Sequence, residues 1–449
     1  MQISRRAVLG SAAASAQSTT ARPPNIVFLI SDDHTAADLG CYGNTHVHTP
    51  NLDRLAREGA RFANCFVTSP QCSPNRSAIF TGCTAHTTNT SRLHTPMPPW
   101  EKSYVDILKE RGYFVGAFRK VHQGNDFNKR FDFYDANRNA KFESFFDKVP
   151  NDKPFFLHVG FTDPHRPYTK GAFTPPHDPA KVRLPNFLPD TPAIREDLAH
   201  YHDFIARMDA ECGVLLALLE SRGLASNTVV FFTGDNGMPF PGAKGTCYDP
   251  GIHVPLIVRW PGMTKPGEVR PELISHVDLA PTWLDIAGAP VPAKMQGKIS
   301  TGLWKNSGFV PREAVFSERN WHDNFDPIRS VRTHRFKLIF NAAPHFPYRP
   351  AWDLEGSPSW SSYQAAARRP GFKPHHARLL QPARPVVEMY DLTKDPDEFN
   401  NIANDPAFAK DRQDLLKRLS DWMHDTYDYL PPAFARPGEP AGRGWPVSI

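Results

Sequence analysis

The chain has 449 residues, 40% of them hydrophobic and 22% charged, enough for one large α/β domain and a smaller one around a substantial core. With 52 Lys and Arg against 47 Asp and Glu, the net charge is +5 and no block of like charges stands out, which excludes a nucleic-acid footprint but leaves room for a local basic pocket facing a small anion. No run of about 18 apolar residues follows the N-terminus to span a membrane, and the six cysteines form neither a disulfide framework nor a Cys-x-x-Cys zinc pair.

The first segment, MQISRRAVLGSAAASAQSTTARPP, carries Arg5 and Arg6, then a short Ala-rich stretch and small residues suited to cleavage near Ala16 or Ala21. It reads as a twin-arginine export signal over residues 1–22, which places the mature protein in the periplasm or outside the cell. Next come NIVFLISDD (25–33), YFVGAFRKVH (113–122), PFFLHVGFTDPH (154–165) and TVVFFTGDN (228–236), each apolar and then ending in ionisable residues. Unbroken hydrophobicity predicts strands buried on both faces of a mostly parallel sheet. Ligands bind at the carboxyl ends of such strands, so Asp32, Asp33, Lys120, His122, His165, Asp235 and Asn236 are expected along one edge.

Between the strands, HTPNLDRLAREG predicts a helix with Thr49 as N-cap, Pro50 at its first position and Gly59 as its stop. The segment from Thr191 to Gly223 predicts a long helix whose stripe of Leu198, Tyr201, Ile205, Met208, Cys212, Leu215 and Leu219 packs on the sheet. From Glu313 onward AVFSE, IRSVRT, FKLIFN and VEMYDL predict a small antiparallel sheet, followed by a helix near 406–426. The expected division is thus an export signal at 1–22, a catalytic α/β domain at 23–312 and a C-terminal α+β subdomain at 313–449.

Asp32, Asp33, Asp235 and Asn236 offer hard oxygen ligands, suited to Ca²⁺ or Mg²⁺ rather than zinc. Asp-Asp or Asp-Asn-Gly alone reads as a turn; two such pairs at matching strand ends point to a metal. Lys120, His122, His165 and Lys244 add cations and proton donors that could clamp a tetrahedral oxyanion and protonate a leaving atom. In SPQCSPNRSAIFTG, Cys72 by itself could be a core thiol, a disulfide half or a nucleophile.

CSPNR fits the Cys-x-Pro-x-Arg signature of type I, formylglycine-dependent sulfatases, and SDDHTAADLGCYGN, HTPNLDRLAREG, GYFVGAFRKVH, TDPHRP and FTGDNGMPFPGAKGTCYDPG resemble that family's other blocks in the family's order. The resemblance implies an alkaline-phosphatase-like fold. It also implies oxidation of Cys72 to Cα-formylglycine by a maturation enzyme, and a calcium ion, with magnesium as the alternative, held by Asp32, Asp33, Asp235, Asn236 and the modified Cys72. Arg76 is then the anchor of the aldehyde hydrate, Lys120 and His122 support it and the sulfate, and His165 and Lys244 face the sulfate and the leaving group. Val115 and Arg119 stand where the family often has Thr and Gly; neither is an expected ligand, so the Lys120 and His122 assignments stand, although Arg119 could crowd the site, while Asn75 replaces a common serine at a variable position.

Within the family, DNGMPFPGAKG, DPHRP and MYDLTKDPDEFNNIANDP resemble the heparan N-sulfatases, which implies a sulfated glycan bearing an N-sulfated glucosamine at its non-reducing end. Asp163, Arg166 and His322 are the expected sugar-binding residues. A homodimer is compatible with this reading. The rivals are an O-sulfatase on glucosamine or uronate, a phosphohydrolase of the same superfamily, and a glycan-binding relative without turnover.

Overall fold

The four apolar runs become neighbours in a computed structural model that describes residues 23–305 and 309–430. The twin-arginine segment lies outside the described residues. Nine strands form the large sheet: β1 (Asn25–Ser31), β2 (Ala60–Phe66), β3 (Phe114–Arg119), β4 (Phe133–Asp135), β5 (Phe155–Gly160), β6 (Thr228–Gly234), β7 (His253–Val254), β8 (Leu256–Arg259) and β9 (Glu268–Ser275). The order β4-β3-β5-β1-β6-β8-β2-β7, with β9 beside β2, sets the four predicted strands side by side. Pairing is parallel from β4 through β6, then antiparallel at β8.

Alternation within β1 explains why its sequence runs apolar without a break. Val27 and Leu29 join one core with the long helix Pro192–Ser221, while Ile26, Phe28 and Ile30 join a second core with the helices Cys72–Thr81 and Leu279–Ile286. Each of these five side chains is fully buried, a contribution of about 1.5–3 kcal/mol apiece. The expected stripe of the long helix is buried throughout, but so are Asp197, Asp203 and Asp209 on the same helix. Asp209 ties down Asn51 and Leu52, and Asp203 accepts from His177, so this face carries structural acids as well as core.

The small sheet consists of β10 (Val315–Trp321), β11 (Phe325–Arg332), β12 (Phe336–Asn341) and β13 (Val387–Asp391), antiparallel throughout, with the helix Ala409–Asp425 packed on it. It docks beside the Cys72 segment, where Glu318 N–H donates to the Thr68 carbonyl at 2.7 Å and Ser317 Oγ donates to the Val67 carbonyl at 2.6 Å. Among the described residues no helix is long and apolar enough to cross a membrane.

Candidate active site

Parallel pairing of β1 with β6 aligns Ser31 with Gly234 and so sets Asp32 and Asp33 against Asp235 and Asn236. The Asp33 backbone N–H donates to Asp235 Oδ1 at 2.9 Å, and the Asn236 amide donates to Asp33 Oδ1 at 2.7 Å. Asp33 takes φ 63°, a left-handed conformation that few non-glycine residues adopt. All four residues are buried. Cys72 opens the helix Cys72–Thr81, and its Sγ points at Asp33 Oδ1, 3.8 Å away. One turn on, Arg76 is fully buried, its Nε donating to Asp235 Oδ2 at 2.8 Å and Nη1 to the Lys120 carbonyl at 2.7 Å.

Cations close the cluster. Lys120 Nζ donates to Asp32 Oδ2 at 2.5 Å, and Lys244 Nζ donates to Asp33 Oδ2 at 2.8 Å. His165 gives its Nδ1–H to the Arg166 carbonyl at 2.5 Å, which fixes the tautomer and leaves Nε2 facing Lys244 Nζ at 3.3 Å. His122 is bonded through Nε2 to His94 Nδ1 at 2.7 Å.

The electrostatics separate the acids. Burial opposes ionisation of Asp32, but Lys120, His165 and Arg76 together outweigh it and hold its carboxyl well below the usual range. Burial and then the like charge of Asp32 push Asp235 the other way. Burial drives the Cys72 thiol well above its ordinary value despite Lys120, so the unmodified side chain stays a neutral thiol and a poor nucleophile.

A divalent cation fits these residues. Asp32, Asp33, Cys72 and His165 offer ligand atoms within 4.8 Å of one another, and Asp32 Oδ1 and Asn236 Oδ1 are buried without a hydrogen-bond partner. Hard oxygens predominate, as Ca²⁺ or Mg²⁺ requires.

The expected sugar-binding residues divide. His322 sits in the turn between β10 and β11, its Nδ1 2.6 Å from Asp323 Oδ2, which also accepts the Trp352 N–H at 2.8 Å. This ties the turn to the helix Trp352–Glu355 at the site's edge. Asp163 is instead held by both Arg138 and Arg207, with four contacts of 2.7–2.9 Å. Arg166 pairs bidentately with buried Asp197 at 2.8 and 2.6 Å. Neither side chain enters the cluster, although the Asp163 carbonyl accepts the Asp32 N–H at 3.0 Å, the Arg166 carbonyl accepts from His165, and Arg166 lines a cleft of ≈ 490 Å³ with Tyr168, Lys170, His200 and Asp353.

Arg119 does not crowd the site. Its guanidinium pairs with Glu211 at 2.5 Å and lies over the rings of Phe142 and Phe161. Asn75 is more than a variable position here, because its amide donates to the Asp235 carbonyl at 2.7 Å and to His276 Nδ1 at 2.8 Å, and its Oδ1 accepts from Thr68 N–H at 3.1 Å.

Asp353 escaped the sequence reading. Its carboxylate accepts from Lys244 Nζ at 2.7 Å and lies 3.5 Å from His165 Nε2. Burial raises its pKa, but Lys244 and His165 outweigh burial and hold it down. No sequence signal marks it, since it stands in a Pro-rich stretch 109 residues from Lys244.

The sulfatase family model matches residues 24–151 and 134–289, and a model for the C-terminal part of N-sulphoglucosamine sulphohydrolase matches 243–358. Human N-sulphoglucosamine sulphohydrolase is 31% identical over 91% of this chain and 91% of its own length. An ulvan-active sulfatase of Formosa agariphila is 29% identical over 89% of this chain and 74% of its own. A solved structure of a protein in complex with its substrate D-glucosamine-2-N,6-O-disulfate superposes with TM-score 0.70 at 21% identity, over 92% of this chain and 100% of that one.

Proposed function

The chain belongs to the sulfatase family, a sulfate-ester or sulfamate hydrolase, and from that membership we propose that it is an N-sulfoglucosamine sulfohydrolase acting at the non-reducing ends of heparan-type glycans. The observation that carries this reading is Asp353, shared by Lys244 at 2.7 Å and His165 at 3.5 Å. Breaking an S–N bond requires protonation of a nitrogen whose anion is a far worse leaving group than an alkoxide. The amine released is cationic at neutral pH, whereas a sugar hydroxyl is neutral. A carboxylate beside the proton donor favours the first product and does nothing for the second. The match of 243–358 to the sulfamidase C-terminal model encloses both Lys244 and Asp353 and supports the same reading.

In this proposal Asp32, Asp33, Asp235 and Asn236 would hold a divalent cation together with the oxidised Cys72, and Arg76 would anchor that side chain. The aldehyde hydrate would supply the attacking hydroxyl, and a bound cation would offset negative charge beside it. Lys120 and Lys244 bind the sulfate oxygens, and His165 acts as the imidazolium, keeping its Nδ1–H on the Arg166 carbonyl while the second proton, on Nε2, passes to the departing nitrogen. His322 borders the sugar. The twin-arginine segment supports an exported enzyme, periplasmic or secreted.

The test incubates purified, formylglycine-bearing protein with N-sulfoglucosamine and with O-sulfated glucosamine and uronate. Sulfate release from the N-sulfated sugar is expected; release from the O-sulfated set alone overturns the reading. Mass spectrometry of the peptide spanning 62–92 from the native host should show Cys72 converted, and an unmodified thiol would favour a phosphohydrolase or a binding protein.

A further inference from the structure

His94 belongs to none of the sulfatase blocks in the sequence, yet its ring is the direct partner of His122. Nδ1 of His94 lies 2.7 Å from His122 Nε2, with ring centroids 4.8 Å apart. His94 is exposed, while His122 Nδ1 is buried and has no protein partner. Both loops are clamped to the residue after Cys72: the His94 backbone N–H donates to Ser73 Oγ at 2.7 Å, and Gln123 Nε2 donates to the Ser73 carbonyl at 2.9 Å. His94 and His122 both hold left-handed backbone, at φ 64° and 65°, so the pairing is built by two unusual turns.

The groups facing the pair are mostly cationic. Lys120, Arg76 and Asp32 act on His122, and Lys120, Asp323, Lys244 and His165 act on His94. Burial and then Lys120 push both imidazoles down, which keeps them neutral at physiological pH. Two neutral rings that share one proton across 2.7 Å must have opposite roles at that contact, one donating and the other accepting.

We propose that His94 is a positioning residue and proton outlet for His122. With the proton of His122 on Nε2 and donated to His94 Nδ1, the buried Nδ1 keeps its lone pair free for a proton generated in the Cys72 pocket. When that proton binds Nδ1, the Nε2–H bond breaks and leaves its electron pair on Nε2. The freed proton bonds to His94 Nδ1, and His94 then loses its own Nε2 proton to a water or buffer base. Both rings are left in their other tautomer, and proton exchange with water after the product leaves returns them to the starting one, so the cycle needs no reagent beyond solvent. It rests on the sulfatase reading of the Cys72 pocket, and not on whether the substrate is an N-sulfate or an O-sulfate.

His94→Gly is the informative variant, because glycine accepts the left-handed backbone and the backbone N–H to Ser73 Oγ is retained. Its kcat should fall by about 10-fold to 100-fold with KM changed by less than about twofold. Exogenous imidazoles should restore turnover in proportion to their basicity, since removing an exposed ring opens a path for them. The conservative His94→Gln, which cannot relay, should not recover activity. In the unmodified Cys72 protein, ¹⁵N shifts of His122 should move from the Nε2–H tautomer towards a mixture when His94 is replaced, a readout independent of any substrate. An unchanged kcat, or a lowered kcat that no azole restores, overturns the proposal. Rates measured on an aryl sulfate as well as on N-sulfoglucosamine separate its failure from failure of the sulfamidase reading.

Discussion

Titrating the protein with Ca²⁺ at pH values from roughly 5 to 7 reads the charge state of the buried acids. Lys120, His165 and Arg76 overcome burial and keep Asp32 ionised, whereas burial and the charge of Asp32 hold a proton on Asp235. A cation bound by both must displace that one proton. Affinity should therefore rise with pH by up to about tenfold per unit, or about 1.4 kcal/mol. Two competing protons would give about a hundredfold per unit. Stability carries the opposite sign in the metal-free protein: a carboxyl raised above its unfolded value contributes stability at low pH that is lost as pH rises through the folded value. Cation binding removes that loss and adds about 2.7 kcal/mol at a concentration about 100 times Kd, so the Tm increment from Ca²⁺ should grow towards neutral pH. Glu398 is also pushed up by burial, but its partners are Lys337 and Asp249, so its slope cancels between the metal-bound and metal-free scans. Calorimetric titration in two buffers of different ionisation enthalpy counts the proton, and scanning calorimetry with and without chelator measures the increment. A flat affinity over this range, a slope steeper than one decade per unit, or the same slope in Asp235→Asn would refute the charge assignment.

Asp353→Asn should lower kcat on N-sulfoglucosamine by about 10-fold to 100-fold and on an aryl sulfate by much less; steady-state rates on both substrates check this, and an equal loss on both counts against a role at the leaving amine. Asn75→Ala strips bonds to Asp235, His276 and Thr68 from a fully buried site and should cost about 1–3 kcal/mol, seen as a lower denaturation midpoint in urea. Arg119→Gly should leave kcat within about twofold of the native value, because the side chain faces Glu211 and two phenylalanine rings and its φ of 63° suits glycine.

What the sequence disclosed and what it hid follow from the same geometry. A residue that ends a buried strand is positioned by main-chain pairing, so an apolar run followed by Asp-Asp or Asp-Asn is enough to bring Asp32, Asp33, Asp235 and Asn236 together. Residues on loops are positioned by partners that local pattern cannot name. Asp163 and Arg166 stand beside His165 in the chain, yet Arg138, Arg207 and Asp197 take their side chains first. The helix 192–221 was legible as an apolar stripe, but a stripe does not reveal that Asp197 lies in the same buried face to receive a guanidinium. Asp353 and His94 are the converse, since neither has a motif, and each enters the site by docking of a loop onto an element far away in sequence. The helix Cys72–Thr81 joins the two kinds of residue. Its signature could be read in the sequence, while its burial beside Asp32 and Asp235 holds the unmodified thiol protonated, which fits the proposed conversion. A site whose ligands come from strand ends can keep its cation while its loops diverge, so specificity between N-sulfate and O-sulfate should be sought in Asp353 and the His322 turn rather than in the cluster around Cys72.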